Sequence, residues 1–439
     1  MFQFSLDNLK RLTERQELKR IASNASWLFF DKVLRLGVGL FIGIWIARYL
    51  GPSDFGVYNY AIAMTSILAV VATLGLDSIV VKELLTNPAN AKNIIGSTFV
   101  LRLLAGFLSF ILCVGIIYAL NTEGSSVTIE VALIVSLTLF SQSFDTIDLY
   151  FQSQVKSKYT VIAKNTSFIL FSVVKIILLY TKSDLVAFAW AYTGEAMVGA
   201  VFLIVALNQK FPGIRLLQFH AQKGVQLLKI SWSMILSGLV IMIYMRIDQL
   251  MLKEFLGNEA VGVYSVAVRI SEVWYFIPSV IMTSVFPAII KSKEQGETIY
   301  LTRLQKLYTF MTWISTPVAL VVSFISNYLI LFLFGESYAE AGIILAIHIW
   351  TGIFVFQGSA RGYWLVTEGL QVYGMYYTSA ACLLNVILNY WFIPLHGPYG
   401  AAIATLISQF CSVIVFPLLF KKTRNSSIQL LKSFIWKLN

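Results

Sequence analysis

The sequence predicts an all-α polytopic membrane protein, with 12 transmembrane helices in two parallel six-helix lobes around a central cavity. Three observations lead there. Of the 439 residues, 58% are apolar and 13% are charged, against about 45–50% and about 25% in soluble domains. Apolar runs of about 20 residues, long enough to cross a bilayer, recur along the chain. A twelve-residue frame near position 50 returns near position 256. A soluble chain of this composition would leave large apolar patches in water, so a soluble enzyme, a disordered chain and a secreted disulfide scaffold are excluded.

The apolar runs place spans at 26–50, 56–76, 95–119, 127–152, 159–180, 185–207, 231–252, 260–282, 307–334, 341–365, 372–393 and 399–420. Helix breakers separate them, among them Gly51-Pro52-Ser53-Asp54, Asn121-Thr122-Glu123-Gly124, Gly257-Asn258-Glu259 and His396-Gly397-Pro398. The organisation that follows is a cytoplasmic amphipathic segment (1–25), an N-lobe (26–207), a cytoplasmic linker (208–230), a C-lobe (231–420) and a basic cytoplasmic tail (421–439). The N-terminal segment mixes Lys10, Arg11, Arg15, Lys19 and Arg20 with Asp7, Glu14 and Glu17 and lacks the apolar core of a cleavable signal.

The net charge of +11 would suggest nucleic acid in a soluble protein. Here its distribution says otherwise. Of the 33 basic residues, 22 fall in the termini and alternate loops, and only Lys182 and Lys253 fall in the opposite set. That bias orients a membrane protein with both termini in the cytoplasm. No nucleic-acid partner is expected. Cys113, Cys382 and Cys411 are far apart, and His220, His348 and His396 are scattered, so neither a disulfide framework nor a metal site is indicated. The outer loops are too short to hold the site of a glycan ligase or polymerase, and no GxxxxGK[ST] loop is present for ATP. No catalytic residue and no cofactor are expected.

The repeat aligns Leu50-Gly51-Pro52-Ser53-Asp54-Phe55-Gly56-Val57-Tyr58-Asn59-Tyr60-Ala61 with Leu256-Gly257-Asn258-Glu259-Ala260-Val261-Gly262-Val263-Tyr264-Ser265-Val266-Ala267. Six positions agree, where chance gives about one. The frame falls after spans 1 and 7, so the chain reads as two halves of six spans with the same orientation. In such parallel repeats the substrate site lies near the bilayer midplane.

Charges kept inside a membrane are costly, about 2.5–3.5 kcal/mol each on insertion scales, and so mark function. Arg35 lies about 14 Å into span 1 at 1.5 Å per residue. Arg269 lies at similar depth in span 8, Arg246 in the outer third of span 7 and Arg102 in the inner third of span 3. These four could line a cationic cavity for an anionic headgroup, since Arg offers paired donors to phosphate. The competing reading is local: Asp31 and Arg35 are spaced i,i+4, Arg269 and Glu272 i,i+3, and each pair could neutralise itself on one helix face. Glu195 lies mid-span with no basic residue within a helical turn. It reads either as a proton- or sodium-coupling carboxylate or as a neutral acid hydrogen-bonded to a neighbouring helix. Asp248 and Glu272 are further coupling candidates. Lys164, Lys175, Arg48 and Arg361 are expected to snorkel, Asp145 and Asp148 to cap or gate. The abundant Trp and Tyr are expected to form interfacial belts.

The sequence resembles the Wzx-type polysaccharide-biosynthesis flippase family, within the superfamily of multidrug, oligosaccharidyl-lipid and polysaccharide exporters. The resemblance is carried by Ala47-Arg48-Tyr49-Leu50-Gly51-Pro52 with Phe55-Gly56-Val57-Tyr58, Gly75-Leu76-Asp77, Val81-Lys82-Glu83-Leu84, Arg246-Ile247-Asp248, Phe286-Pro287, Leu333-Phe334-Gly335-Glu336-Ser337-Tyr338 and Gly397-Pro398-Tyr399-Gly400-Ala401-Ala402. It implies export of an undecaprenyl-pyrophosphate-linked oligosaccharide, such as an O-antigen repeat unit, from the inner to the outer leaflet of the bacterial plasma membrane by alternating access. Membrane lipids and the polysaccharide polymerase machinery are its implied partners. The alternative is an ion-coupled drug or small-cation antiporter of the same superfamily, for which an acidic cavity is expected.

Overall fold

The computed structural model describes residues 6–120, 126–212 and 218–435, with side chains from Ser23 onward. The predicted turn at Asn121–Gly124 and the amphipathic face of segment 1–25 therefore lie outside the described residues. Every regular element among those residues is helical: α1 (Leu6–Thr73), α2 (Asp77–Thr86), α3 (Ala91–Leu120), α4 (Ser126–Ser136), α5 (Thr138–Ser141), α6 (Asp145–Ser153), α7 (Lys158–Tyr180), α8 (Leu185–Lys210), α9 (Ala221–Leu256), α10 (Asn258–Glu272), α11 (Phe276–Lys293), α12 (Glu297–Phe334), α13 (Ala341–His348), α14 (Thr351–Thr367), α15 (Gln371–Phe410), α16 (Phe416–Leu418) and α17 (Lys421–Lys432).

Ten helical segments among the described residues are long and apolar enough to cross a membrane. Two of them, Ser23–Thr86 and Gln371–Leu418, run to 64 and 48 residues, more than twice the roughly 20 that a crossing needs. Each is bent at one residue where a loop was expected from sequence. Gly51 (φ 74°, ψ 174°) interrupts α1, and Gly397 (φ 62°, ψ −147°) interrupts α15. In both cases proline follows. A residue before proline is pushed out of the helical region, glycine alone enters positive φ at little cost, and proline then suits the first turn of the next helix. One glycine thus does the work of a whole loop.

Two compact units divide the chain: Met1–Ile46 with Thr65–Leu239, and Ala47–Met64 with Val240–Asn439. In the first, α7 packs along α8 and α4 packs on α8. Its core gathers Leu76, Val80, Ile94, Ile147, Phe151 and Leu203. The N-terminal end of α9 is fixed here by Lys223, whose Nζ lies 2.5 Å from Glu83. In the second unit, Phe286, Tyr300, Tyr308, Met311, Phe356 and Trp364 centre the core. The tail is part of that core. Trp313 Nε1 donates to the Ser433 carbonyl at 3.1 Å, and Gln305 Nε2 donates to the Gln429 carbonyl at 2.9 Å.

The repeat has a steric purpose within the second unit. A Cβ on Gly56 would overlap the carbonyl of Asn258, and a Cβ on Gly262 would overlap the carbonyl of Pro52. Pro52 and Asn258 are equivalent positions of the repeat, as are Gly56 and Gly262, so the two copies cross reciprocally, backbone on backbone. Small residues permit such close crossings between apolar helices, where packing drives association. Gly262→Ala should lower stability by roughly 1–3 kcal/mol, the usual cost of overpacking. Gly115→Ala, with nothing within 4 Å of the added carbon, should leave the melting temperature unchanged or raised. Thermal unfolding of the purified variants in detergent checks both.

Candidate functional site

The first unit holds a cavity of about 240 Å³ lined by Arg35, Asp145, Lys164, Tyr192 and Glu195, with Thr138, Ser141 and Gln142 from the short α5 and the turn after it. Arg35 Nε lies 2.9 Å from Asp31 Oδ1 one helical turn away, and its Nη1 lies 3.8 Å from Glu195 Oε1 on α8. The same guanidinium stands over the Phe168 ring at 5.1 Å. Lys175 Nζ lies 2.8 Å from the other oxygen of Glu195. Lys164 Nζ lies 2.7 Å from Asp145 and 3.7 Å from Asp148. Three cations thus meet four carboxylates, so this network is close to charge-balanced rather than strongly cationic.

Several placements differ from those expected. Glu195 is not isolated: Lys175 and Arg35 reach it from α7 and α1, which helical spacing along α8 alone does not reveal. Lys175 and Lys164 do not snorkel, because carboxylates on adjacent helices hold them inside. Arg102 is fully buried and bonds Asp77 at 2.9 Å. It ties α3 to the start of α2 and does not line the Arg35 cavity.

The second unit holds a larger cavity, about 490 Å³, lined by Asp248, Tyr264, Glu272, Tyr275, His348 and Arg361 among others. Asp248 is buried and accepts three hydrogen bonds: from Tyr264 at 2.5 Å, Thr405 at 2.5 Å and Asn389 at 2.6 Å. Asn389 Nδ2 also donates to Asn385 at 3.1 Å. Arg246 Nη1 lies 3.8 Å from Glu272 Oε2, and Arg269 stands over the Phe55 ring at 5.5 Å. Glu272 therefore meets Arg246 on α9, whereas the sequence offered only Arg269 on its own helix. His348 Nδ1 lies 2.9 Å from Ser271 Oγ.

Sequence reasoning missed three groups: the cations of α7, the Asn385–Asn389 pair and Arg361. The asparagines had a readable signal, since two amides one turn apart inside an apolar span are costly unless they serve a site. Arg361 had a weaker one. It is flanked by Gly358, Ser359, Ala360 and Gly362, small residues that leave room around a long side chain. It is buried, at 3% exposure, because α14 turns it into the cavity rather than toward the membrane edge.

The chain matches the family described as "Polysaccharide biosynthesis protein" over residues 21–293, more than half its length, and the family described as "MatE" over residues 233–391. It is 23% identical to "Probable flippase AglR" of Haloferax volcanii, over 89% of this chain and 82% of that protein. It is 21% identical to "Capsular polysaccharide biosynthesis protein CapF" of Staphylococcus aureus, over 92% and 100%. Among solved structures, lipid II flippase MurJ in an inward closed conformation superposes with a TM-score of 0.73 at 17% identity, covering 94% of this chain and 91% of that one. At that identity the likeness is one of fold.

The Lys175–Glu195 pair is mostly buried, with side chains 11% and 20% exposed. Removing one partner of such a pair strands the other's charge. Lys175→Met should cost about 1–3 kcal/mol, the usual penalty for an unsatisfied buried polar group. Adding Glu195→Gln should restore most of that loss. Chemical or thermal denaturation of the two single variants and the double variant measures the coupling; strict additivity would contradict it.

Proposed function

Because the chain belongs to the polysaccharide biosynthesis protein family, we propose that it exports an undecaprenyl-pyrophosphate-linked oligosaccharide from the inner to the outer leaflet by alternating access, without ATP. If the bends at Gly51 and Gly397 each separate two crossings, the ten apolar segments of the described residues supply twelve, an even number that supports both termini lying on one face, the cytoplasmic one by the distribution of basic residues. The observation that carries the reading is Arg35, held at a cavity inside a membrane unit by two carboxylates at once. Its fork of N–H donors matches a pyrophosphate, whose oxygens can replace those carboxylates acceptor for acceptor. Arg246 and Arg269 supply further positive charge in the second unit, and Arg102 acts through packing.

The same geometry suggests how export is coupled to an ion. A proton on Glu195 removes the charge that holds Lys175 and Arg35. Lys175 then becomes available to the headgroup while Arg35 keeps only Asp31, and loss of that proton returns both cations to Glu195 and expels it. Asp248, ringed by Tyr264, Thr405, Asn385 and Asn389, is a second coupling group. Its carboxylate and the oxygens around it suit a proton or a sodium ion, the hard cation that prefers oxygen ligands.

A second reading has its own support. Asp248 and Glu272 line the cavity of the second unit, and residues 233–391 match MatE, so a drug or small-cation antiporter would find acidic groups there. Arg35→Ala separates the two. Export of the lipid-linked glycan, followed as fluorescently labelled substrate in proteoliposomes, should fall at least tenfold, since a charged hydrogen bond is worth about 1.5–3 kcal/mol. Arg35→Lys should retain part of it. Unimpaired glycan export in Arg35→Ala would remove Arg35 from the site, whereas cation efflux with no glycan transfer by the wild type would favour the antiporter. Glu195→Gln should remove the dependence of export rate on a proton gradient; an unchanged dependence would remove Glu195 from the coupling scheme.

A further inference from the structure

We propose that Arg361 anchors a second anion site, in the cavity of the C-terminal unit, for an amphiphile that carries a phosphate headgroup on a hydrocarbon chain. Nε, Nη1 and Nη2 of Arg361 are all buried, and none has a hydrogen-bond partner among the described residues. No carboxylate among those residues lies within ion-pair distance of it, although Asp248 and Glu272 line other parts of the same cavity. Arg35, Arg102, Arg246, Lys164 and Lys175 are each paired with a carboxylate, and Arg269 stands over an aromatic ring; Arg361 is buried with neither among the described residues. A guanidinium stays charged in a protein and carries five N–H donors with no acceptor. Buried without a counter-charge, it destabilises the fold. Its cavity gives it the means to be satisfied by something from outside the chain.

The shape of that cavity indicates what the partner is. The wall of the cavity carries small and polar residues, among them Gly362, Gly374, Thr378 and Ser412, as well as the acids Asp248 and Glu272. It also carries apolar residues, among them Ile241, Val268, Phe354 and Val355. A ligand that satisfies Arg361 must bring an oxyanion, and the apolar part of the wall can take hydrocarbon. The volume, about 490 Å³, falls within the roughly 300–1,000 Å³ of small-molecule sites. Arg361 lies six residues before the end of α14, about 9 Å along the axis, a depth suited to a headgroup drawn slightly inward from one membrane face. A planar fork favours phosphate bound through two oxygens. Tyr377 lines the same cavity, but its hydroxyl is already engaged with Thr423, and a neutral phenol supplies no counter-charge. The site is separate from Arg35 and does not depend on the glycan reading.

The full chain, purified in a neutral maltoside detergent, is titrated with dodecyl phosphate or with inorganic phosphate while thermal unfolding is followed. Dodecyl phosphate should raise the melting temperature of the wild type. The concentration needed for half of that shift should rise about tenfold or more in Arg361→Met, a loss of one charged interaction, and by less in Arg361→Lys. Without ligand, Arg361→Met should melt no lower than the wild type, because it removes an uncompensated charge. Equal shifts in wild type and Arg361→Met, or no shift in the wild type, would overturn the proposal. Inorganic phosphate acting as strongly as dodecyl phosphate would overturn its lipid part and leave a site for free anions. If Arg361→Met does not fold, the comparison of wild type with Arg361→Lys decides: undiminished affinity in the lysine variant would contradict the paired-donor contact.

Discussion

A charge inside a membrane protein has to find an opposite charge, and most of the polar architecture of this chain follows from that requirement. Water that would otherwise solvate an ion is absent, so each cation must be met by a carboxylate, an aromatic face or a ligand. Lys175 meets Glu195, Lys164 meets Asp145, Arg102 meets Asp77 and Arg246 meets Glu272. Except for Arg35 with Asp31, the partners come from different helices. The pairs therefore act as cross-links, fixing which face of α7 looks at α8 and which face of α9 looks at α10. Hydrophobic packing between apolar helices in lipid is weakly directional, and these contacts supply orientation that it lacks.

A network built to hold charge is also a network that can release it. Glu195 is shared by two cations, and Arg35 by two carboxylates, so no single pair in the chain of contacts Asp31–Arg35–Glu195–Lys175 is exclusive. Changing the charge on one member redistributes the rest. An anion entering such a site exchanges one set of oxygen acceptors for another, at much lower cost than creating a cation's partners anew. Near-neutrality of the network and the affinity for a pyrophosphate proposed for it are compatible for that reason. Arg361 is the same problem with a different solution, in which the chain itself provides no counter-charge.

Much of the fold was legible in the sequence because its signals are local. Apolar runs set the helices, and the Gly-Pro steps at 51–52 and 397–398 marked where the chain bends. The repeated frame was legible as a repeat, but not as the reciprocal crossing of Gly56 and Gly262, because a contact between positions 206 apart is invisible to spacing along either helix. The site followed the same division. Arg35–Asp31, one turn apart on α1, could be read directly. Lys175–Glu195 and Arg246–Glu272 could not, since each joins two helices whose rotation about their axes is fixed by packing. Arg361 looked like a snorkelling residue from its distance to a span end, and only the direction of its side chain distinguishes that from burial. The docking of the tail through Ser433 was hidden by its basic, polar composition.

In the proposed function the headgroup is the feature recognised in transport, with the glycan carried along. The most direct measurement is therefore a comparison of headgroups in the wild-type protein. Proteoliposomes are loaded with one labelled oligosaccharide attached to polyprenol through a pyrophosphate, or through an uncharged glycosidic link. Transfer of each across the bilayer is then followed by quenching of the label. The account predicts rapid, protein-dependent transfer of the pyrophosphate form and little of the uncharged form. Equal transfer of both would show that the intramembrane charges do not read the headgroup, and would contradict it.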